Sequence, residues 1–397
     1  MDNVLNFVKI PDEINYWFVR ASRGARYYKD FMVNNFIAVA SIVDLNFIKK
    51  INVVGLTKKD ALTIFKNKFN KYAKDTIEDY EPYRNATTDT AKEKAKSKRL
   101  SRSTTLSKVN YSFVNEMKVG DVVIVPGKSA KNFLIGIVLS DCFDTDIKHE
   151  FIPNKKKEQS YDECYFTLKR GVYWIKEISF NEFPDKMNAI TNAHQSVLNI
   201  LNYADSINPL ISSNFIYQKN YFTRINVKTV QDISSDDLYY FQKLLHIVNE
   251  SVGIELKQKT KIQSPGDIIL FIQNNWQGIS IVLGLLFGEI KFGKIKITNL
   301  ATSIQSFIHK GKENKIHESI EYEKLKQEKI KTEILEDIQK KFKDDLPHIK
   351  KLNLNNDSIG TEFVPEKQKE NLNTYRDLCE KTKQQDKKRE ENDETEE

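Results

Sequence analysis

Two β-rich runs, Val122–Val125 and Phe133–Leu139, flank the segment PGKSAKN, and this pattern constrains the fold more than any other. Short runs of β-branched and aromatic residues bounded by Pro, Gly, Ser and Asn are strand signals, and two in succession make a hairpin. A helical turn, YSFVNEM, and a Gly-Asp turn lead into the first run. Further strands are expected at Tyr16–Ala21 and Phe36–Ala40, with a short helical turn between them. CYFTLKRGVYWIKEISF adds another, with a bend at Arg170-Gly171, and FPDKMNAITNAHQSVLNILN reads as helical. Residues 1–205 are therefore expected to hold a β-rich domain, from Tyr16 to about Asn202. Its expected form is a small barrel with helices on its rim, giving an α+β fold class.

Within that domain TKKDALTIFKNKFNKYA places Ala61, Leu62, Ile64, Phe65 and Phe69 at helical spacing behind Thr57 as a cap. The pattern then dissolves. Residues 74–108 are polar and nearly free of periodicity, and read as a long basic loop carrying Lys94, Lys96, Lys98, Arg99 and Arg102. Such a loop suits a phosphate backbone or a solvated linker about equally.

The rest of the chain reads as helical. In residues 206–300, Ser234 to Asp237 resembles a capping box, and Leu238, Phe241, Leu244, Leu245 and Val248 form one apolar face. Ile268–Gly288 then carries no charged residue. As one helix it would span about 31 Å, close to a bilayer core. Gln273, Asn274, Asn275 and Gln277 interrupt it, so a buried or oligomer-interface helix competes with a membrane-inserting one. In residues 301–397 a long amphipathic helix is expected from about Ser319 to Lys350, followed by an acidic tail.

Charge narrows the partners. The chain has 62 Lys and Arg against 55 Asp and Glu, a net +7. The stretch from Gln385 holds seven acidic and three basic residues, so the remainder carries +11. A basic body points to a polyanion, with the acidic tail as its competitor. Cys142, Cys164 and Cys379 lie far apart with no CxxC, which favours a reducing, cytoplasmic setting and no structural zinc. No signal peptide, P-loop, GxSxG or metal-ligand cluster is evident, so neither a cofactor nor a metal is expected.

The segment NYWFVRASRGARYYKD concentrates Tyr16, Trp17, Phe18, Tyr27 and Tyr28 around Arg20, Arg23 and Arg26. Period-2 alternation puts Trp17 and Val19 on a core-facing side and Tyr16, Phe18 and Arg20 on the other. The turn residues Arg23, Arg26, Tyr27 and Tyr28 are harder to explain as core.

In order, YWFVRAS, FIAVAS, FVNEMKVGDVVIVPG, FLIGIVL and RGVYWIKEIS resemble the PUA-like/EVE superfamily. The similarity looks nearest to the N-terminal domain of Mrr-type restriction proteins, over roughly residues 15–200. The resemblance implies a nucleobase, often a modified one, held in an aromatic-walled pocket of DNA or RNA readers. Carried over to this chain, Trp17 and Trp174 match the aromatic strand positions, although either is equally suited to fill the core. Arg20, Ser22 and Arg23 match the loop after the strand, and Lys169 and Arg170 precede the closing strand. Replacing Arg23 and Tyr27 together is expected to weaken oligonucleotide binding without loss of folding.

Proteins of that type often add a nuclease. Glu255 and Lys257 form an E-x-K with Asp236 and Asp237 upstream, but Glu313-Asn314-Lys315 repeats the spacing in a polar segment. The expectation is a non-enzymatic sensor of a modified base or short oligonucleotide, in a setting of prokaryotic defence, acting through self-association or a partner. The alternatives are an effector that permeabilises the inner membrane through residues 268–288 and, more weakly, a divergent metal-dependent nuclease.

Overall fold

The computed structural model describes residues 5–145, 161–227, 234–261, 266–273, 277–287, 294–300, 321–324, 338, 340–342, 344–356, 373–375, 377 and 379. The chain divides into two compact units. One comprises Met1–Ile14 with Ala204–Glu362, and the other comprises Asn15–Tyr203 with Phe363–Glu397.

The first unit begins at β1 (Leu5–Lys9). The second holds β2 (Tyr16–Val19), β3 (Phe36–Val39), β4 (Val122–Pro126), β5 (Asn132–Val138), β6 (Phe143–Asp144), β7 (Leu168–Ser179) and β8 (Val197–Asn199). Its helices are α1 (Tyr28–Asn34), α2 (Leu45–Lys49), α3 (Lys58–Asp75), α4 (Glu81–Arg84), α5 (Asp89–Tyr111) and α6 (Asn188–Thr191). The strands run β3-β7-β5-β4-β2-β8, with β6 also on β7, in a sheet curled into a half-barrel. Among the described residues β2 and β4 pair in parallel and the other pairs are antiparallel.

The expected hairpin is β4–β5, and the Gly-Asp turn before it is pinned by a buried carboxylate. Gly120 takes φ +96°, and Asp121 accepts from Trp17 Nε1 at 2.8 Å, Asn15 N at 3.0 Å and Lys118 N at 2.9 Å. The bend expected at Arg170-Gly171 is instead a change of partner within one continuous strand. Residues Leu168–Gly171 of β7 pair with β3, and from Val172 onward β7 pairs with β5. Gly136 of β5 sits opposite Trp174, and a Cβ there would meet Trp174 Cε3 at 2.6 Å.

The basic loop expected over residues 74–108 is wrong. Thr57 caps α3 as expected, and α4 and α5 then fill most of the supposed loop. Thr88 caps α5 by accepting from Ala91 N at 3.2 Å. The inward face of α5 carries Ala95, Ser103, Ser107 and Asn110 beside Leu106 and Val109. Small and polar inward residues leave no hydrophobic periodicity to read, while Ala, Lys and Glu supply helix propensity. Arg99 ties α5 to the end of α3, donating to Ala73 O at 3.0 Å and to Thr76 Oγ1 at 2.5 Å.

The C-terminal part of this unit contributes a plug. Tyr375 is 1% exposed, stacks on Phe143 at 5.1 Å and donates its hydroxyl to Asn34 O. It lies over Gly171, where a Cβ would come within 3.1 Å of its ring.

The expectation of a helical region over 206–300 is also overturned, because this part of the chain is largely sheet. After α7 (Ala204–Ile211) come β9 (Asn214–Tyr217), β10 (Asn220–Val227), α8 (Ser235–Val252), β11 (Lys257–Lys261), β12 (Gly266–Gln273), α9 (Gln277–Phe287) and β13 (Lys294–Asn299). Later strands are β14 (Glu321–Lys324) and β15 (Leu354–Asn355). The order is β11-β12-β10-β9-β1-β13-β14, with β15 on β10 and β1 parallel to both neighbours. Gln218 and Lys219, both at positive φ, make the tight β9–β10 turn. Phe241, Leu244 and Val248 of α8 join Ile279, Val282 and Leu283 of α9 over Ile225, Ile268 and Leu270.

Residues 268–288 are therefore not one helix. Ile268, Leu270 and Ile272 alternate inward along β12, and the following apolar residues form the eleven-residue α9. No described helix is long and apolar enough to cross a membrane. An uncharged run cannot be assigned to helix or strand by periodicity alone, and pairing with β10 decides it. The long helix expected over Ser319–Lys350 is interrupted likewise: Glu321–Lys324 pair with β13, and helix is described only at 338, 340–342 and Leu346–Lys350. Glu313–Lys315 and the tail from Gln385 lie outside the described residues.

Candidate functional site

The curl of the second unit's sheet brings its two ends to one open cleft of about 340 Å³. The β3 end supplies a floor of Ala38, Val39 and Ala40, and the opposite end supplies Arg20, Ser22, Arg23 and Gly24 from the turn after β2. Leu106 and Val109 of α5, the half-buried Phe166, and His194 and Ser196 ahead of β8 complete it. The result is an apolar floor with one aromatic wall and a cationic rim.

Backbone geometry at the rim is unusual. Ser22 has φ 69° and ψ 179°, Gly24 φ 66° and Ala25 φ 56°. For Ser and Ala these are costly conformations, each about 1–3 kcal/mol, and such outliers cluster where a turn must present groups in a fixed direction. The turn is closed by Ala25 N to Ser22 O at 3.2 Å and Tyr27 N to Ala21 O at 3.0 Å.

The two rim arginines differ. Arg20 is half-buried, donates from Nη2 to Thr191 O at 2.6 Å, and leaves its buried Nε without an acceptor. Desolvation lowers its pKa, although a guanidinium remains charged throughout the working range. Arg23 is exposed and makes no hydrogen bond or ion pair among the described residues. Phe166 is braced from behind by Tyr27, whose ring meets it edge-on at 5.4 Å, and by Tyr165 at 5.0 Å.

The remaining sequence candidates are placed elsewhere. Trp17 and Trp174 are 1% and 4% exposed, with indole N–H groups donated to Asp121 and to Phe31 O at 2.9 Å, so both fill the core. All of Tyr16–Val19 is buried, because β2 is covered on both faces and not one. Tyr27 is also core, and burial pushes its hydroxyl up to about 12. Tyr28 donates to Glu177 Oε1 at 2.8 Å, and Arg26 pairs with Asp162 at 2.8 Å on the surface.

Arg170 is a structural cation. Its Nε, Nη1 and Nη2 donate to Phe113 O, Ser140 O and Val114 O, tying down the π-helical turn Ser112–Glu116. Lys169 is 7% exposed above the Phe36 ring at 4.7 Å, and burial lowers its pKa. Of the five basic candidates on α5, Arg99 is used internally and Lys96 pairs with Glu93 at 3.4 Å. Lys94, Lys98 and Arg102 are exposed.

Sequence reasoning found Arg20, Ser22 and Arg23 but missed Phe166, His194 and the α5 pair Leu106 and Val109. Each is a single residue in an otherwise ordinary segment, and only the curl of the sheet assembles them.

The E-x-K residues give no comparable site. Glu255 is exposed before β11, Lys257 begins that strand, and Asp236 and Asp237 open α8. Among the described residues no three His, Cys, Asp or Glu side chains are grouped to hold a metal ion.

Residues 65–202 match the model of a family described as a domain of unknown function (DUF8426). That stretch includes α5, Phe166 and His194 and excludes the arginine turn. No curated protein and no solved structure matches the chain.

Proposed function

We propose that the unit built on residues 15–203 is a reader of nucleic acid that takes one base into the cleft. The observation that carries this reading is the pairing of an apolar, aromatic-walled cavity with two rim arginines, one of them without a partner. A base taken out of its stack needs an apolar, aromatic enclosure, worth about 1–3 kcal/mol per stacked base, and its phosphate needs a cation at the edge. Phe166 supplies the ring and Arg20 and Arg23 the cations. The volume admits a base with its sugar. The resemblance to PUA-like/EVE domains supports the same ligand class, and modified bases fall within it.

The reading is of a sensor. A setting in prokaryotic defence, as in Mrr-type proteins, follows from the resemblance, and self-association or a partner is the output it would couple to.

The test is binding of the full chain to short single- and double-stranded oligonucleotides, plain and base-modified, at two salt concentrations. Salt-sensitive binding that prefers one base or modification, and that falls at least tenfold in Arg23→Gln, is the expected result. Equal, weak binding to every oligonucleotide, unchanged in Arg23→Gln, would remove the cleft from consideration.

A further inference from the structure

The cationic rim does not end at the turn. Lys94, Lys98 and Arg102 follow one another at i+4 along α5, and the next position on that ridge is Leu106, which lines the cleft. Successive i+4 positions lie on one inclined ridge of a helix. Val109, also in the cleft wall, falls within the arc these three cations cover. All three are exposed, and none has an ion-pair partner among the described residues. Of the other α5 cations, Lys96 pairs with Glu93, Arg99 is bonded to Ala73 and Thr76, and Lys92 lies over the Tyr83 ring at 5.8 Å. Lys108 is exposed as well, but it falls about 40° outside the arc of the three.

From Lys94 to Leu106 the ridge is about 18 Å long at the α-helical rise. That length matches about three to five nucleotides, depending on how far a single strand is extended. A duplex would place its second strand and its stacked neighbours at the cleft mouth, whereas one strand can pass a base inward and lie along a helix.

We infer that α5 is the track for a single strand leaving the cleft, with Lys94, Lys98 and Arg102 each meeting a backbone phosphate. The inference rests on the base-reading role of the cleft and extends it to a ligand class: single-stranded nucleic acid of about four or more nucleotides. Charge complementarity and continuity with the cleft select this occupant. Affinity is thereby divided between a base-reading end and a sequence-blind track.

The test uses the full chain, the four 5′-mononucleotides, and mixed-sequence single strands of two, four and eight nucleotides, with heparin as a polyanion lacking bases. Affinity is expected to rise at least tenfold between two and eight nucleotides. The triple variant Lys94→Gln/Lys98→Gln/Arg102→Gln should abolish that rise and lower the salt slope by about 2, at about 0.7 per phosphate contact on single strands. Mononucleotide and dinucleotide binding should be unchanged in it.

A wild-type length dependence that survives in the triple variant overturns the track, as does equal affinity for an eight-base-pair duplex. Heparin binding that responds to the three substitutions while no oligonucleotide shows length dependence also overturns it, leaving a general polyanion surface. Absence of binding by every nucleotide and strand refutes the base-reading cleft itself. Short ligands that bind with no gain from added length refute the track alone.

Discussion

Trp17 and Asp121 are joined by a 2.8 Å hydrogen bond in the core, from the indole Nε1 to a carboxylate oxygen. The same carboxylate accepts from the backbone N–H of Asn15 and of Lys118. Asp121→Ala would orphan the buried indole donor, at about 1–3 kcal/mol, together with two backbone donors that are only partly buried. Urea denaturation should show a loss of about 2 kcal/mol or more, and tryptophan fluorescence should shift to the red. A loss under 1 kcal/mol would mean that water replaces the carboxylate.

Gly136→Ala tests the close packing of β5 on β7. The added methyl would lie 2.6 Å from Trp174 Cε3 and 2.7 Å from Tyr173 O, and the carbonyl cannot move without disturbing the pairing. Overpacking of this kind costs about 1–3 kcal/mol or more. The expected readout is a clear fall in Tm, with poor expression at the extreme.

The Arg23 and Tyr27 substitutions must now be separated. Tyr27→Ala removes a buried ring that braces Phe166 and should cost about 3–5 kcal/mol by analogy with other buried aromatic-to-alanine changes. Arg23→Gln changes an exposed side chain and should leave stability within about 0.5 kcal/mol. Thermal melts of the two single variants decide this, and the double variant is no clean test of binding.

Ser22→Gly should stabilise the protein by about 1 kcal/mol, because glycine adopts φ 69° and ψ 179° without the cost that Ser22 carries. The measurement is equilibrium unfolding. A variant that is more stable yet binds oligonucleotides less tightly would tie the strain to ligand placement.

Buried thiols give a pH prediction. Burial raises both Cys142 and Cys164 to about 12 from an ordinary value near 9. A raised acid of this kind stays protonated when folded, so its contribution is complete below about pH 9 and is lost as pH climbs toward 12. Stability should fall across that window, and Cys142→Ala should flatten the decline. Native thiol labelling at pH 8 should be slow until denaturant is added.

Legibility in the sequence followed the strength of the local pattern. The β4–β5 hairpin, the Thr57-capped helix and α8 were readable because apolar residues recur at the period of their element and cap or turn residues mark the ends. The helix α5 was not, since its inward Ala95, Ser103 and Ser107 carry no hydrophobic signal. Strand β12 looked like a helix because its outward positions, Ile269 and Phe271, are apolar as well. Its partner β10 and its cover α8 lie outside any local window. The cleft was half visible: a basic turn announces itself, whereas Phe166 and His194 become wall residues only when distant strands meet.

The path of the chain bears on how the protein is made. Strand β1 finds its partner β13 only after residue 295 has been synthesised, and Asn34 receives its bond from Tyr375 later still. At about 5–20 residues per second, β1 waits about 15–60 s on the ribosome. During that interval one parallel edge of the nascent sheet stands unpaired, and the seat of Tyr375 beside Phe143 and Gly171 is open. Neither unit can close during synthesis in the order in which it was begun, so holdase chaperones have a defined window in which to act.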